Sequence, residues 1–90
     1  MTRSIRTTTQ FKRDFKHQIK RGKDQTVFKE VIARLIEGET LEVKYRDHPL
    51  FGGYKGTREC HLEPDWLLIY ELSPDDLILI RTGSHSDLFE

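Results

Sequence analysis

The chain has 90 residues, 36% of them hydrophobic and 33% charged, which suits one domain (residues 1–90) with a modest core. No apolar run approaches the roughly 20 residues of a membrane span, the start Met1-Thr2-Arg3-Ser4-Ile5-Arg6 lacks the apolar centre of a secretory signal, and the lone Cys60 excludes an internal disulfide and fits a reducing cytoplasm. The net charge of zero hides an asymmetry: residues 1–23 hold eight Lys/Arg against one acid, Asp14, for +7, and residues 24–90 carry the balancing −7. A basic segment of this kind either attracts RNA phosphates or forms the solvated face of a helix resting on an acidic body.

The elements follow in order. Ser4-Ile5-Arg6-Thr7-Thr8 is short and β-branched, as an edge strand is. Thr8 or Thr9 can cap a helix in which Phe11, Phe15 and Ile19 form one apolar stripe and Lys12, Arg13, Lys16, Lys20 and Arg21 take the other faces. Gly22 ends it. Asp24 can cap a second helix with a wider apolar face of Val27, Phe28, Val31, Ile32, Leu35 and Ile36, stopped at Gly38. So short a link implies a helical hairpin. From Glu39 to Gly56 the pattern is irregular, with Pro49, Gly52, Gly53 and Gly56 marking a loop. Three strand-like runs follow, at 57–62, 66–72 and 77–82, joined by Glu63-Pro64-Asp65 and by Ser73-Pro74-Asp75-Asp76. Connections this short imply an antiparallel meander. Trp66-Leu67-Leu68-Ile69-Tyr70 is apolar on both faces, which places it at the centre of the sheet. Ser86-Asp87-Leu88-Phe89 forms a terminal turn that packs Leu88 or Phe89 back onto the domain. The expected fold is α+β: a helical hairpin on an antiparallel sheet of three to four strands, in the order β-α-α-β-β-β.

Three histidines sit at the edges of these elements: His48 before Pro49, His61 in the first strand of the meander, and His85 after Gly83-Ser84. Histidine gives or takes a proton near neutral pH. With Asp65 and the cations Lys55, Arg58 and Arg81, the set suits acid–base chemistry on a phosphodiester. Taken singly, each residue has a plain structural reading. His48 can be a loop residue, His61 a half-buried strand residue, His85 a solvated one, Asp65 a turn residue and Trp66 part of the core. His17 belongs to the basic helix surface, and Cys60 is a small strand filler. Three histidines plus Asp65 can also ligate zinc, but no two have compact local spacing, and neither metal nor cofactor is expected.

The segments Tyr45-Arg46-Asp47-His48-Pro49-Leu50, Gly53-Tyr54-Lys55-Gly56-Thr57-Arg58, His61-Leu62-Glu63-Pro64-Asp65-Trp66-Leu67-Leu68-Ile69-Tyr70 and Arg81-Thr82-Gly83-Ser84-His85-Ser86-Asp87-Leu88-Phe89 resemble the RelE/ParE toxin superfamily, and within it the YafQ-type mRNA interferases. The match is dense over 45–89 and limited to helix pattern and length over 1–44. The resemblance implies a cytoplasmic toxin, neutralised by a cognate antitoxin, that enters the ribosomal A site and cuts the bound mRNA. The important positions of the YafQ branch fall on His48, His61, Asp65, Trp66, His85 and Phe89. Metal-free cleavage needs a base near the RNA 2′-hydroxyl, an acid near the 5′-oxygen and positive charge at the phosphoryl oxygens. His48, His61 and His85 can fill the first two roles, in an order the sequence leaves open. Asp65 can orient an imidazole or act as base. Arg81 and Lys55 can hold the phosphate, Arg58 adds charge, and Trp66 or Phe89 can stack on a splayed base. The rival reading is a ParE-like toxin that binds DNA gyrase without chemistry, and three proton-transfer groups speak against it.

Overall fold

The computed structural model describes residues 3–54 and 56–89. A first strand, β1 (Ser4–Thr7), leads into helix α1 (Thr9–Lys20). Thr8 caps α1, its hydroxyl accepting from the Phe11 N–H at 2.9 Å. Gly22, at φ +87°, ends the helix in the left-handed region that disfavours other residues. Asp24 caps α2 (Gln25–Ile36) through the Thr26 N–H at 2.8 Å. The turn between the helices sets the Phe28 ring 4.7 Å from Phe15 and 6.1 Å from Phe11, so the two apolar stripes meet through aromatic rings.

The irregular stretch 39–56 holds two 3-10 turns, Val43–Tyr45 and Gly52–Tyr54, and between them a two-residue strand, β2 (His48–Pro49). The meander follows as β3 (Arg58–Glu63), β4 (Trp66–Leu72) and β5 (Asp76–Gly83), and the chain closes with a short helix, α3 (His85–Phe89). The sheet order is β1-β5-β4-β3-β2. β1 runs parallel to β5, Ile5 beside Leu77, and the other pairs are antiparallel. The sheet thus has five strands, more than the three to four expected. The addition is β2, too short to leave a period.

β4 is the middle strand, and its first five residues are buried on both faces. Trp66, Leu68 and Tyr70 face the helices, in a core with Phe11, Val31, Leu35, Cys60, Leu62, Leu77 and Leu79. Leu67 and Ile69 face the other way, where Leu88 of α3 packs on them with Leu50 and Ile80. Fully burying one such aliphatic side chain is worth about 1.5–3 kcal/mol. The second small core therefore fixes α3, and with it His85, against the sheet.

Candidate active site

Strand alternation builds the site. On β3, Cys60 and Leu62 point toward the helices, which leaves Glu59 and His61 on the opposite face. The β2–β3 register sets His48 directly across from Glu59. One carboxylate therefore serves two imidazoles: Glu59 Oε1 lies 3.3 Å from His61 Nε2 and 3.5 Å from His48 Nε2. The Glu59 side chain is 6% exposed, so this pairing is what makes a buried carboxylate tolerable. The other His48 nitrogen, Nδ1, is 2.7 Å from the Arg46 carbonyl. That carbonyl is aimed by the left-handed backbone of Arg46, at φ 47° and ψ 45°.

The loop carrying these groups is held by Asp47. Its carboxylate accepts from Arg58 Nε at 3.2 Å and from the Tyr70 hydroxyl. The hydrogen bond to Asp47 strengthens the hold of Arg58 on its proton, against the opposing effect of burial. Burial, then Asp47, pushes the Tyr70 phenol well above its ordinary range.

His85 arrives from the far end of the chain. Its backbone N–H donates to Asp65 Oδ1 at 3.0 Å, and its Nδ1 lies 2.6 Å from the same oxygen. These two bonds hold the Asp65 carboxyl below its usual range. Asp65 is thus a carboxylate at neutral pH and can only accept, so Nδ1 carries a proton toward it and Nε2 is the nitrogen turned away from Asp65. The His61 ring centre lies 5.6 Å from that of His85 and 6.3 Å from that of His48. His48, His61, Asp65 and His85 are therefore brought together, with His61 in the middle. Beside them opens a cleft of about 570 Å3, lined by Tyr45, Arg46, His61, Leu62 and His85 among others.

The residues expected to bind RNA fare differently. Arg58 is engaged by Asp47, as above. Arg81 forks onto Asp14 of α1, with Nε 2.8 Å from one carboxylate oxygen and Nη2 3.1 Å from the other. Trp66 requires a correction: it is fully buried, with its indole N–H donating to Thr82 Oγ1 at 2.9 Å and its ring stacked 6.5 Å from Phe28. No face of the ring is open to a base. Phe89, at the end of α3, is 48% exposed. Lys55 lies outside the described residues. Cys60 is a core residue, and burial pushes its thiol far above the usual range, as unsuited to nucleophilic chemistry as expected. His17 is exposed on α1. Sequence reasoning missed Glu59 and Arg46. The spacing Glu59-x-His61 in a strand signals a shared face; nothing in the sequence signals the backbone of Arg46.

Solved structures share this architecture over its whole length. The toxin chain in the Escherichia coli DinJ–YafQ toxin–antitoxin complex superposes with a TM-score of 0.91 at 42% identity, covering 100% of both chains. A copper-bound mutant toxin from Helicobacter pylori gives 0.92 at 42% identity, over 99% of this chain and 100% of that one. Fold and site together define a small bacterial toxin. The profile of the YafQ bacterial toxins of type II toxin–antitoxin systems matches residues 3–90, and the chain belongs to that family. The mRNA interferase toxin YafQ of Escherichia coli K12 is 43% identical over 88 residues, 97% of this chain and 96% of that protein.

Proposed function

We propose that this protein is a metal-independent endoribonuclease toxin that cuts messenger RNA on the ribosome and is held inactive by a cognate antitoxin. Its Escherichia coli relative YafQ is an mRNA interferase by name, and Escherichia coli YafQ is crystallised with DinJ as a toxin–antitoxin complex. The observation that carries the reading is the run of three imidazoles, each within reach of a carboxylate, with His61 and His85 lining an open cleft.

Rings 5.6 Å apart suit the two sides of one phosphodiester. One of His61 and His85 takes the proton of the 2′-hydroxyl as that oxygen bonds to phosphorus. The other gives a proton to the departing 5′-oxygen as its bond to phosphorus breaks. The products are a 2′,3′-cyclic phosphate and a 5′-hydroxyl. Asp65 and Glu59 fix which nitrogen of each ring is offered. The ribosome supplies the geometry: holding the strand with the 2′-oxygen in line can lower a barrier by several kcal/mol.

The test is cleavage of one messenger, free and on programmed ribosomes, by the purified protein and by His85→Ala. The protein should cut the ribosome-bound messenger rapidly and the free one slowly or not at all. His85→Ala should lose about 10²–10⁴ in rate, with stability changed by no more than about 0.5 kcal/mol because the side chain is solvent-facing. Equal rates on both substrates would remove the ribosome from the account. A folded His85→Ala protein with normal activity would remove His85.

A further inference from the structure

The cleft beside His61 and His85 contains a cation whose side chain the fold does not use. Arg58 is taken by Asp47 and Arg81 by Asp14. Lys44, also on the cleft, lies 3.9 Å from Glu42 and 5.1 Å from the centre of the Tyr45 ring. Glu63, the acid on its wall, is matched by Lys23 at 3.6 Å. Arg46 is exposed, and among the described residues its guanidinium has no carboxylate or hydrogen-bonding partner.

Its backbone adds a second argument. Arg46 is the one non-glycine residue at positive φ among those described. A glycine would adopt this turn with less strain and aim the same carbonyl at His48. What a glycine could not supply is a guanidinium on a residue that lines the cleft. Strain of this kind collects where a side chain has a task. The cleft's lining includes apolar residues, Val27 half-buried and Pro64 exposed beside the almost fully buried Tyr45 and Leu62, and its volume of about 570 Å3 lies within the range of small-ligand sites.

We infer that this cleft is a subsite for one unpaired nucleotide of RNA, its base lying against Val27 and Pro64 beside the rims of Tyr45 and Leu62, and its phosphate held by Arg46. The guanidinium is a planar fork that matches two phosphoryl oxygens at once. Single-stranded RNA is the ligand that offers an unstacked base and a phosphate together. The assignment deepens the ribonuclease reading and rests on it: Arg46 supplies the positive charge that Arg58 and Arg81 have given to their carboxylates.

The experiment titrates the purified protein with a trinucleotide whose riboses are all 2′-methoxy, which therefore cannot be cut, and follows it by NMR. Signals of the His61 and His85 rings, Tyr45 and Leu62 should shift. Arg46→Ala should weaken binding about ten- to a hundred-fold, the loss of a charged hydrogen-bonded contact. The salt slope of log affinity should fall by about 0.7, one single-strand phosphate. Arg46→Gly, which relieves the backbone, should show the same loss if the alanine protein folds poorly, and Arg46→Lys should recover part of it. An unresponsive cleft, or unchanged affinity in Arg46→Ala and Arg46→Gly, would overturn the assignment. The two readings fail separately. Cleft binding without cleavage on ribosomes would sink the ribonuclease and keep the subsite; cleavage without cleft binding would do the reverse.

Discussion

Asp14 completes the edge of β5 beyond the last residue of β1. Its carboxylate takes both arms of the Arg81 fork, the Thr82 N–H at 3.3 Å and the Gln10 amide at 3.0 Å. Burial pushes its carboxyl up, but the hydrogen bonds from Arg81, Gln10 and Thr82 together outweigh that and hold it below the ordinary 3.8. A depressed folded value means the unfolded chain binds the proton first as pH falls. The contribution to stability is therefore complete above about 3.8 and is lost as pH falls through the lower, folded value. Asp14→Asn should cost about 1–3 kcal/mol at pH 7 by leaving Arg81 and the Thr82 N–H poorly matched. The cost should shrink below pH 4. Melting curves of both proteins from pH 7 down to pH 2 check this, and parallel curves would show that Asp14 is not the titrating group. The same residues mark what a sequence can tell. The three histidines and Asp65 were legible as a set because their chemistry is distinctive and each sits at an element's edge. The loss of Arg81 to a partner 67 positions away was not, since nothing local links the two. The burial of Trp66 was one of its two readings in the sequence, but the choice between core and base-stacking was not legible, because its neighbours Phe28 and Thr82 come from distant segments.

Helix α3 is five residues long and cannot stand alone, so its position depends on its first turn. Ser84 and Asp87 exchange hydrogen bonds: the Ser84 N–H donates to Asp87 Oδ2 at 2.9 Å, and the Asp87 N–H donates to Ser84 Oγ at 3.1 Å. This reciprocal cap has the form of a capping box. Asp87 also takes Arg21 Nη1 at 2.7 Å, and Arg21 followed by Ser84 holds its carboxyl far below the ordinary range. The Asp87 side chain sits so close to Gly83 that a Cβ there would come within 2.8 Å of Asp87 Cβ. Gly83→Ala should therefore force the cap apart, at a cost of about 1–3 kcal/mol typical of overpacking. Amides of residues 85–89 should exchange faster and cleavage should fall, because His85 begins this helix. An alanine protein with native melting temperature and exchange would show that the cap can shift at no cost. At this scale the helices, their caps and the meander were readable from period and punctuation. β2 was not: two residues ending in a proline carry no alternation. β1 was readable as an edge strand, but its parallel partner was not, because β5 lies about 70 residues further along the chain.

Across the whole molecule, the charge asymmetry becomes a surface. Among the described residues, three ion pairs tie the basic segment to the body, Asp14 to Arg81, Arg21 to Asp87 and Lys23 to Glu63, and Arg3 adds hydrogen bonds to the Ser73 and Leu35 carbonyls. Lys12, Arg13, Lys16 and Lys20 remain exposed on α1, with no ion-pair partner among the described residues. Both readings of the segment therefore hold, for different residues: part rests on the acidic body, and part is an open cationic face. Such a face increases encounter with a polyanion more than it alters chemistry at a distant site. If it meets ribosomal RNA, the double substitution Lys12→Glu with Lys16→Glu should raise KM for programmed ribosomes and leave kcat unchanged. The plot of log kcat/KM against log salt should become shallower by roughly one to two units, given about 0.7–0.9 per phosphate contact. Melting should change little, since exposed sites of this kind shift stability by about 0.5 kcal/mol or less. The uncleavable trinucleotide should still bind the cleft as before, because Arg46 is untouched. An unchanged salt slope would place this face outside the ribosome contact, and a fall in kcat at constant KM would mean that α1 acts on the cleft itself.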